Sequence, residues 1–353
     1  MKDDSKILIC YNSPVRVFSN YNGKPEEKNS FMNDLSETSF SKEINSIKKN
    51  LQAYFAEVKT LAVDRNVERT INKINNYTPD VIVNFIESVE GISTYEYCMA
   101  GLFELMQIEF TGCSAICLGN CLNKWRAKNI LRANQIKTPK AYVIDNLKNL
   151  NEKYFRIKFP VILKLLTEDA SIGISEYSVV KSFDELVSHS KFLIETFNQK
   201  LIAEEYIEGR ELNVAVLGQR VLPISEIIFD SLPDGLPKIV TYEGKWVEKS
   251  IYYENTKPKC PAELSAQTKR RVEAVALKAF NALGCRDYAR VDIRLDKNGI
   301  PFVIEVNPNP DISSDSGFAR AASAAGLSHS ELIFEITKLA LSRRTNDTQI
   351  KAS

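Results

Sequence analysis

A chain of 353 residues, 44% of them hydrophobic, is long enough to bury a large core and to divide into two or three domains. Lys and Arg (46) nearly balance Asp and Glu (45), so there is no strongly basic field of the kind that holds nucleic acid or an anionic membrane, and small-molecule partners are expected instead. No apolar run is long enough to span a bilayer, and the five-residue apolar core of MKDDSKILICYN is too short for a signal peptide, so a cytoplasmic protein is expected.

In chain order, KILICY (Lys6 to Tyr11) and DVIVNF (Asp80 to Phe85) read as buried strands, and between them Ile44, Ile47, Leu51, Tyr54, Phe55 and Val58 keep helical spacing. Tyr95 to Gln107 reads as a helix and IEFTG as a further strand. Strand alternating with helix is the pattern of an open parallel sheet, and the loop NSPVRVFSN after the first strand falls where such sheets place ligands. The seven cysteines are an odd number, scattered along the chain, which suits free thiols. Cys113, Cys117 and Cys121 would share a helix face, but with no fourth Cys or His near them in sequence they are expected to be small buried residues rather than a zinc site. His189 and His329 lie in polar stretches and are expected to face solvent, which leaves histidine-based nucleophilic catalysis without support.

From about Gly119 the texture changes. Lys124 to Asn134 is helical and basic, Thr138-Pro139 ends it, AYVI and PVILK are strands, and LLTEDASIGISEYSVV reads as strand, small polar loop and second strand. KLIAEEYIEGRELNVAVLGQRVLPISEIIF supplies strands joined at Glu208-Gly209 and Gly218-Gln219. Val272, Val275, Ala276, Ala279 and Leu283 keep core spacing on a helix that Gly284 caps, and the tail from Arg343 reads as polar and frayed.

The last two strands, YARVDIRL and IPFVIEVN, flank Asn298-Gly299, a two-residue turn signal that pairs Lys297 with Ile300. That register sets Asp292 opposite Glu305 and Arg290 opposite Asn307, all on one face, with Val291, Ile293, Ile304 and Val306 on the other. Like charges at cross-strand distance need a proton, a cation or a metal. Oxygen donors from Asp292, Glu305 and Asn307 suit Mg²⁺ (or Mn²⁺), while an ion pair with Arg290 or Arg294 answers the same charge problem. On the first reading, Glu305→Gln greatly weakens turnover with the fold intact and, by removing a repulsion, raises the melting temperature of the ligand-free protein. Lys164 at a strand end, the loop EDASIG and the acidic AEEYIEGRE are each ambiguous alone; together with a paired O-ligand site they describe a nucleoside triphosphate site.

The order FPVILK, EDASIGI, LIAEEYIEGRELNVAVLG, YEGKW, LGCRDYARVDIR and IEVNPNPDIS resembles the D-alanine:D-alanine ligase branch of the ATP-grasp enzymes, and the likeness runs from about residue 80 to 340. The resemblance implies an α/β fold with an N-terminal open parallel sheet domain (1–118), a central lobe (119–203), a C-terminal lobe (204–342) and a polar tail (343–353), the two lobes clamping ATP. It implies that Lys124 and Lys164 bind ATP phosphates, that Ser171, Ile172 and Gly173 form the closing loop, and that Glu204, Glu205, Tyr206 and Ile207 hold adenine. Glu211 would take the ribose, Lys245 would lie near the transferring phosphate, and Asp292, Glu305 and Asn307 would bind Mg²⁺. Arg290 would stabilise the acyl phosphate and Ser316 would hold the acceptor carboxylate. The chain departs from the family pattern at Leu165, Ala170, Trp246 and Asp311, and NSPVRVFSN lacks the family's acidic residue. The implied activity is an ADP-forming carboxylate-amine ligase acting on small-molecule acid and amine substrates, with a homodimer as the family expectation and with Asn12, Arg16, Trp246 and Asp311 shaping a donor site not specific for D-alanine. A non-catalytic ATP sensor or scaffold and an ATP-dependent kinase are the alternatives.

Overall fold

The computed structural model describes residues 2–351 apart from 14, 16, 19 and 26–34, with the side chains of 35–42 and 345–351 also left aside. Arg16 lies outside the described residues. The N-terminal part alternates β1 (Asp3–Asn12), α1 (Leu35–Gln52), β2 (Phe55–Val63), α2 (Val67–Tyr77) and β3 (Val81–Phe85), then α3 (Tyr95–Leu105). Its sheet is parallel in the order β2-β1-β3. Two expectations change here. Tyr54, Phe55 and Val58 do not continue the first helix, because Phe55 and Val58 of β2 are buried in one core and Leu61 and Val63 in the other, and the three-residue spacing of the first two imitates a helix. IEFTG contributes a single parallel bridge, Ile82 to Phe110, before Thr111-Gly112 turns the chain away.

Next come α4 (Ala115–Leu122), α5 (Lys124–Ala133), β4 (Ala141–Ile144), β5 (Val161–Leu165), β6 (Val179–Val180), α6 (Phe183–Phe197) and β7 (Leu201–Glu205). The Ser114, Asn123 and Ser182 side chains each accept the backbone N–H three residues on, which starts α4, α5 and α6 where they begin. The sheet here is antiparallel in the order β4-β7-β5-β6. His189 is 7% exposed on the inner side of α6, where burial lowers its pKa to about 4; it does not face solvent as expected, since α6 turns that side toward the sheet. His329 is also held, its Nε2 lying 2.8 Å from the Ile312 carbonyl.

The chain then crosses into β8 (Gly209–Leu217), β9 (Arg220–Val221), β10 (Ser225–Ile228), α7 (Tyr242–Trp246), α8 (Ile251–Asn255), β11 (Lys257–Lys259), α9 (Ala266–Ala282), β12 (Tyr288–Asp296), β13 (Pro301–Asn307), α10 (Gly317–Ala324) and α11 (His329–Lys351). These strands make a six-stranded sheet, β11-β10-β8-β12-β13 with β9 beside β8. Val291, Ile293, Val303 and Val306 pack with Val272, Ala276 and Ala279 of α9, each buried aliphatic side chain contributing about 1.5–3 kcal/mol, and this leaves the opposite face of the sheet for polar groups. The tail differs from expectation: α11 continues to Lys351, and Arg343 donates to Glu109 at 2.8 Å and to the Phe110 carbonyl at 2.6 Å. Among the described residues, no helix is long and apolar enough to cross a membrane.

Candidate functional site

The predicted pairs are present: Asp292 is opposite Glu305 and Arg290 opposite Asn307. The route to them differs from the two-residue turn. Asp296 N–H bonds the Ile300 carbonyl at 3.0 Å, so the loop holds three residues, and an extra residue enters β13 where Asp292 pairs with Glu305 but Ile293 with Val303. The longer loop and the bulge offset each other, leaving the acidic pairs in place while turning Ile304 onto the polar face, where it lines the cleft instead of sharing the core with Val306.

That face, β5, β7 and the loops around them enclose a cleft of about 480 Å³. Lys124, Lys164, Ser171, Ile172, Glu204, Glu205, Tyr206, Ile207, Glu211, Lys245, Trp246, Arg290, Asp292, Glu305, Asn307, Asp311 and Ser316 all line it. Gly173 and Asn12 stand behind the wall. Gly173 donates to the Tyr21 carbonyl at 2.8 Å, and Asn12 Oδ1 accepts the Glu87 N–H at 3.0 Å while its Nδ2 donates to Ser88 at 3.3 Å.

The charges are paired across elements. Arg290 grips Asp292 with two bonds of 2.8 Å, and Asn213 and Asn307 donate to the same carboxylate at 2.8 and 3.0 Å. Lys124 contacts Glu305 and Asp169, both at 3.1 Å. Burial works to raise the Glu305 carboxyl, but Lys124, Lys164 and Lys245 outweigh it and hold it well below the ordinary carboxylate range. Glu305 is therefore stabilised by cations rather than repelled by Asp292, and the expectation that Glu305→Gln raises the melting temperature is reversed. Burial, reinforced by repulsion from Arg290, lowers the Lys245 pKa. Glu204 is met by Lys164 and Lys128, both at 3.1 Å, and Arg294 holds Glu211 at 2.8 Å.

Three loops close one end. Ala170 and Ser171 adopt left-handed φ values of 53° and 62°, and the Ala170 carbonyl accepts the Trp246 indole N–H at 3.0 Å. Lys24 bridges Glu243 at 2.7 Å and Glu176 at 3.3 Å. Gly23 is obligatory at this contact, because a Cβ there would lie 2.3 Å from the Gly173 carbonyl oxygen.

Sequence reasoning missed several cleft-lining or supporting groups. Lys128 follows Lys124 by one helical turn on the buried face of α5, a spacing that marks it. Asn213 is a polar residue in an apolar strand, the same signal that Glu305 gave. Glu87 and Glu96 carry no local signal and reach the cleft from beyond β3 and from the first turn of α3. Burial raises the Glu96 carboxyl well above its ordinary value although Asn309 donates to it at 3.2 Å.

Residues 130–338 match the family described as D-ala D-ala ligase C-terminus. The chain is 33% identical over 239 residues to the D-alanine–D-alanine ligase of Nitrosomonas eutropha (68% of this chain, 73% of that protein). It is 26% identical over 300 residues to D-alanine–D-alanine ligase B of Clostridium perfringens (81% and 94%). The crystal structure of D-alanine–D-alanine ligase from Bacillus anthracis complexed with ATP superimposes with a TM-score of 0.72 at 24% identity, over 97% of this chain and 99% of that one. With its parallel N-terminal sheet, its two antiparallel sheets and the cleft between them, this chain belongs to the D-alanine–D-alanine ligase branch of the ATP-grasp family of ATP-dependent ligases.

Proposed function

We propose that this protein is an ADP-forming carboxylate-amine ligase that joins an amino acid or related acid to an amine through an acyl phosphate. One observation carries the reading: Arg290, Asp292, Glu305 and Asn307 share a strand-pair face that lines a single cleft with Lys124, Lys164 and Lys245. Lys124 and Lys164 are suited to the phosphates, with Ser171 of the 171–173 loop beside them. The 204–207 segment and Ile304 offer an edge and an apolar wall to adenine, and Glu211, steadied by Arg294, accepts from the ribose hydroxyls.

Asp292, Glu305 and Asn307 supply the hard oxygen donors that fit Mg²⁺ or Mn²⁺, and Lys124, Arg290 and Asn213 hold two of the three in place. When bound, the ion supplies neutralisation of phosphate charge. In the first step a donor carboxylate oxygen attacks the γ-phosphorus, the bond to the β-phosphate oxygen breaks, and ADP leaves. Arg290 and Lys245 stand where charge on the transferring group can be neutralised. In the second step the acceptor amine, having lost a proton, attacks the acyl carbon; the bond to phosphate breaks and inorganic phosphate departs with the electron pair. Ser316, at the N-terminus of α10, is suited to the acceptor carboxylate.

The donor end differs from the family pattern. The segment 13–20 directly after β1 carries no acid, and Glu87 and Glu96 stand on the wall formed by the neighbouring loops and are suited to a donor ammonium. This supports an amino-acid donor gripped from β3 and α3, of a specificity other than D-alanine. Incubation with ATP, Mg²⁺ and a library of amino acids and amines, with ADP and condensed products followed by mass spectrometry, tests the proposal. Amide products support it; a stable phosphorylated product identifies a kinase, and ATP binding without ADP release across the library identifies a sensor.

A further inference from the structure

Outside the cleft, four of the seven cysteines meet in the core where the N-terminal domain abuts the C-terminal sheet. Cys113 precedes α4, Cys117 and Cys121 lie one turn apart on it, and Cys285 arrives from the turn between α9 and β12, more than 160 residues later in sequence. The sulfurs of Cys113, Cys117 and Cys285 all lie within 4.8 Å of one another, with Cys117 and Cys285 3.6 Å apart. Cys121 lies one helical turn beyond Cys117 on α4 and is buried. None of the four is more than 8% exposed. The three cysteines are buried as expected, and tertiary contact adds Cys285, which sequence neighbourhood does not show.

Packing alone accounts for one buried cysteine at a time, since a thiol behaves as a small hydrophobe. It does not account for three sulfurs meeting within 4.8 Å of one another with a fourth buried thiol one helical turn away. A tetrahedral ion with metal–sulfur bonds of about 2.3 Å separates its ligand sulfurs by about 3.8 Å, close to the 3.6 Å found here, whereas a disulfide needs about 2.0 Å. The surroundings suit thiolates as well. The Arg286 N–H points at the Cys113 sulfur at 3.4 Å, and the Arg286 guanidinium is held beside the cluster by the Gly112 carbonyl at 2.8 Å and by the Phe110 ring. No imidazole or carboxylate competes within the cysteine trio, which leaves an all-sulfur set that selects a soft or borderline ion over Mg²⁺.

We propose that Cys113, Cys117, Cys121 and Cys285 form a structural zinc site that staples α4 to the entry of β12, a role independent of the ATP cleft, whose lining contains none of these residues. Binding converts the thiols to thiolates, their protons passing to solvent, and the excess negative charge faces Arg286.

Tag-free protein from zinc-supplemented cells is dialysed and its metal measured by inductively coupled plasma mass spectrometry. About one zinc per chain, released by a mercurial thiol reagent with a fall of several degrees in melting temperature, is the expected result. Anaerobic Co²⁺ titration of metal-free wild type is expected to give thiolate-to-cobalt charge-transfer absorption at one equivalent. Cys285→Ser is expected to weaken binding at least tenfold, while Cys260→Ser, at a cysteine outside the cluster, leaves it unchanged. If Cys285→Ser does not fold, the wild-type titration decides. Metal-free protein with no cobalt charge transfer, or a non-reduced mass lower by two hydrogens, overturns the proposal. Neither outcome touches the ligase reading, because no readout involves ATP.

Discussion

The two ends of the cleft are built differently. At the nucleotide end the charged groups sit on regular elements and face partners on others: Lys164 of β5 and Lys128 of α5 on Glu204 of β7, Lys124 of α5 on Glu305 of β13, Arg294 of β12 on Glu211 of β8. At the end proposed for the donor the wall is made of turns from distant stretches, tied by Gly173 to Tyr21, Trp246 to Ala170 and Lys24 to Glu243. A charge on a strand can be replaced only with loss of its cross-strand partner's compensation, so this end resists change. Residues on turns can be exchanged without disturbing a ladder, so the donor end is free to diverge within the same fold.

Four measurements break or sharpen this comparison. The largest effect is expected from Arg290→Met, which removes a cation from the transferring phosphoryl group: kcat for ADP release falls about 10³-fold, ~4 kcal/mol, while the KM for ATP changes little. A kcat within threefold of wild type would remove Arg290 from the chemistry. Next is Glu305→Gln, expected to lower kcat about 10²-fold, ~2.7 kcal/mol, even at saturating Mg²⁺. It is also expected to lower the melting temperature, because Lys124, Lys164 and Lys245 lose their shared anion. The folded Glu305 carboxyl is held low, so its contribution to stability is present above the ordinary carboxylate range and lost as the pH falls through the folded value. The difference from the variant is accordingly greatest near neutrality and shrinks in acid.

A smaller effect, confined to the donor end, is expected from Glu87→Gln: the donor KM rises about tenfold, ~1.4 kcal/mol, with the ATP KM unchanged. Parallel changes in both constants would mean that the two ends are not separable. Smallest is the alkaline behaviour of Lys128, whose pKa burial lowers to about 8 against the opposing pull of Glu204. The unfolded chain then binds more protons than the folded one between pH 8 and the ordinary lysine range. That group's term raises stability with pH across the window, by at most about 1.4 kcal/mol per unit. Wild type is expected to gain in melting temperature on Lys128→Met as the pH rises from 8 to 10, and parallel curves would contradict this.

Legibility followed the same division. Glu305, Asp292 and Asn307 stood out because a polar residue in an apolar strand announces that something must compensate it, and cross-strand pairing links sites only about a dozen residues apart. Glu87 and Glu96 looked like ordinary loop and helix-start acids, and nothing near them in sequence indicates that β3 and α3 aim them at the cleft. The β12–β13 hairpin is instructive: the loop length was misjudged and the bulge unseen, yet the acidic register survived because each displaced it by one residue in opposite directions. Ile304 records the error, on the cleft side rather than in the core.

What the sequence determined by itself was whatever depends on near neighbours: the alternation of buried strands and helices in each part, the caps at Ser114, Asn123 and Ser182, the Gly284 helix end, and the shared face of Arg290, Asp292, Glu305 and Asn307. Only the tertiary structure decided which cations face those acids, which loops close the donor end, and that Cys285 joins Cys113, Cys117 and Cys121. Such contacts join groups far apart in the chain, 221 residues from Asn22 to Glu243 and 234 from Glu109 to Arg343, and arise where separate cores pack together, so no local pattern of residues encodes them.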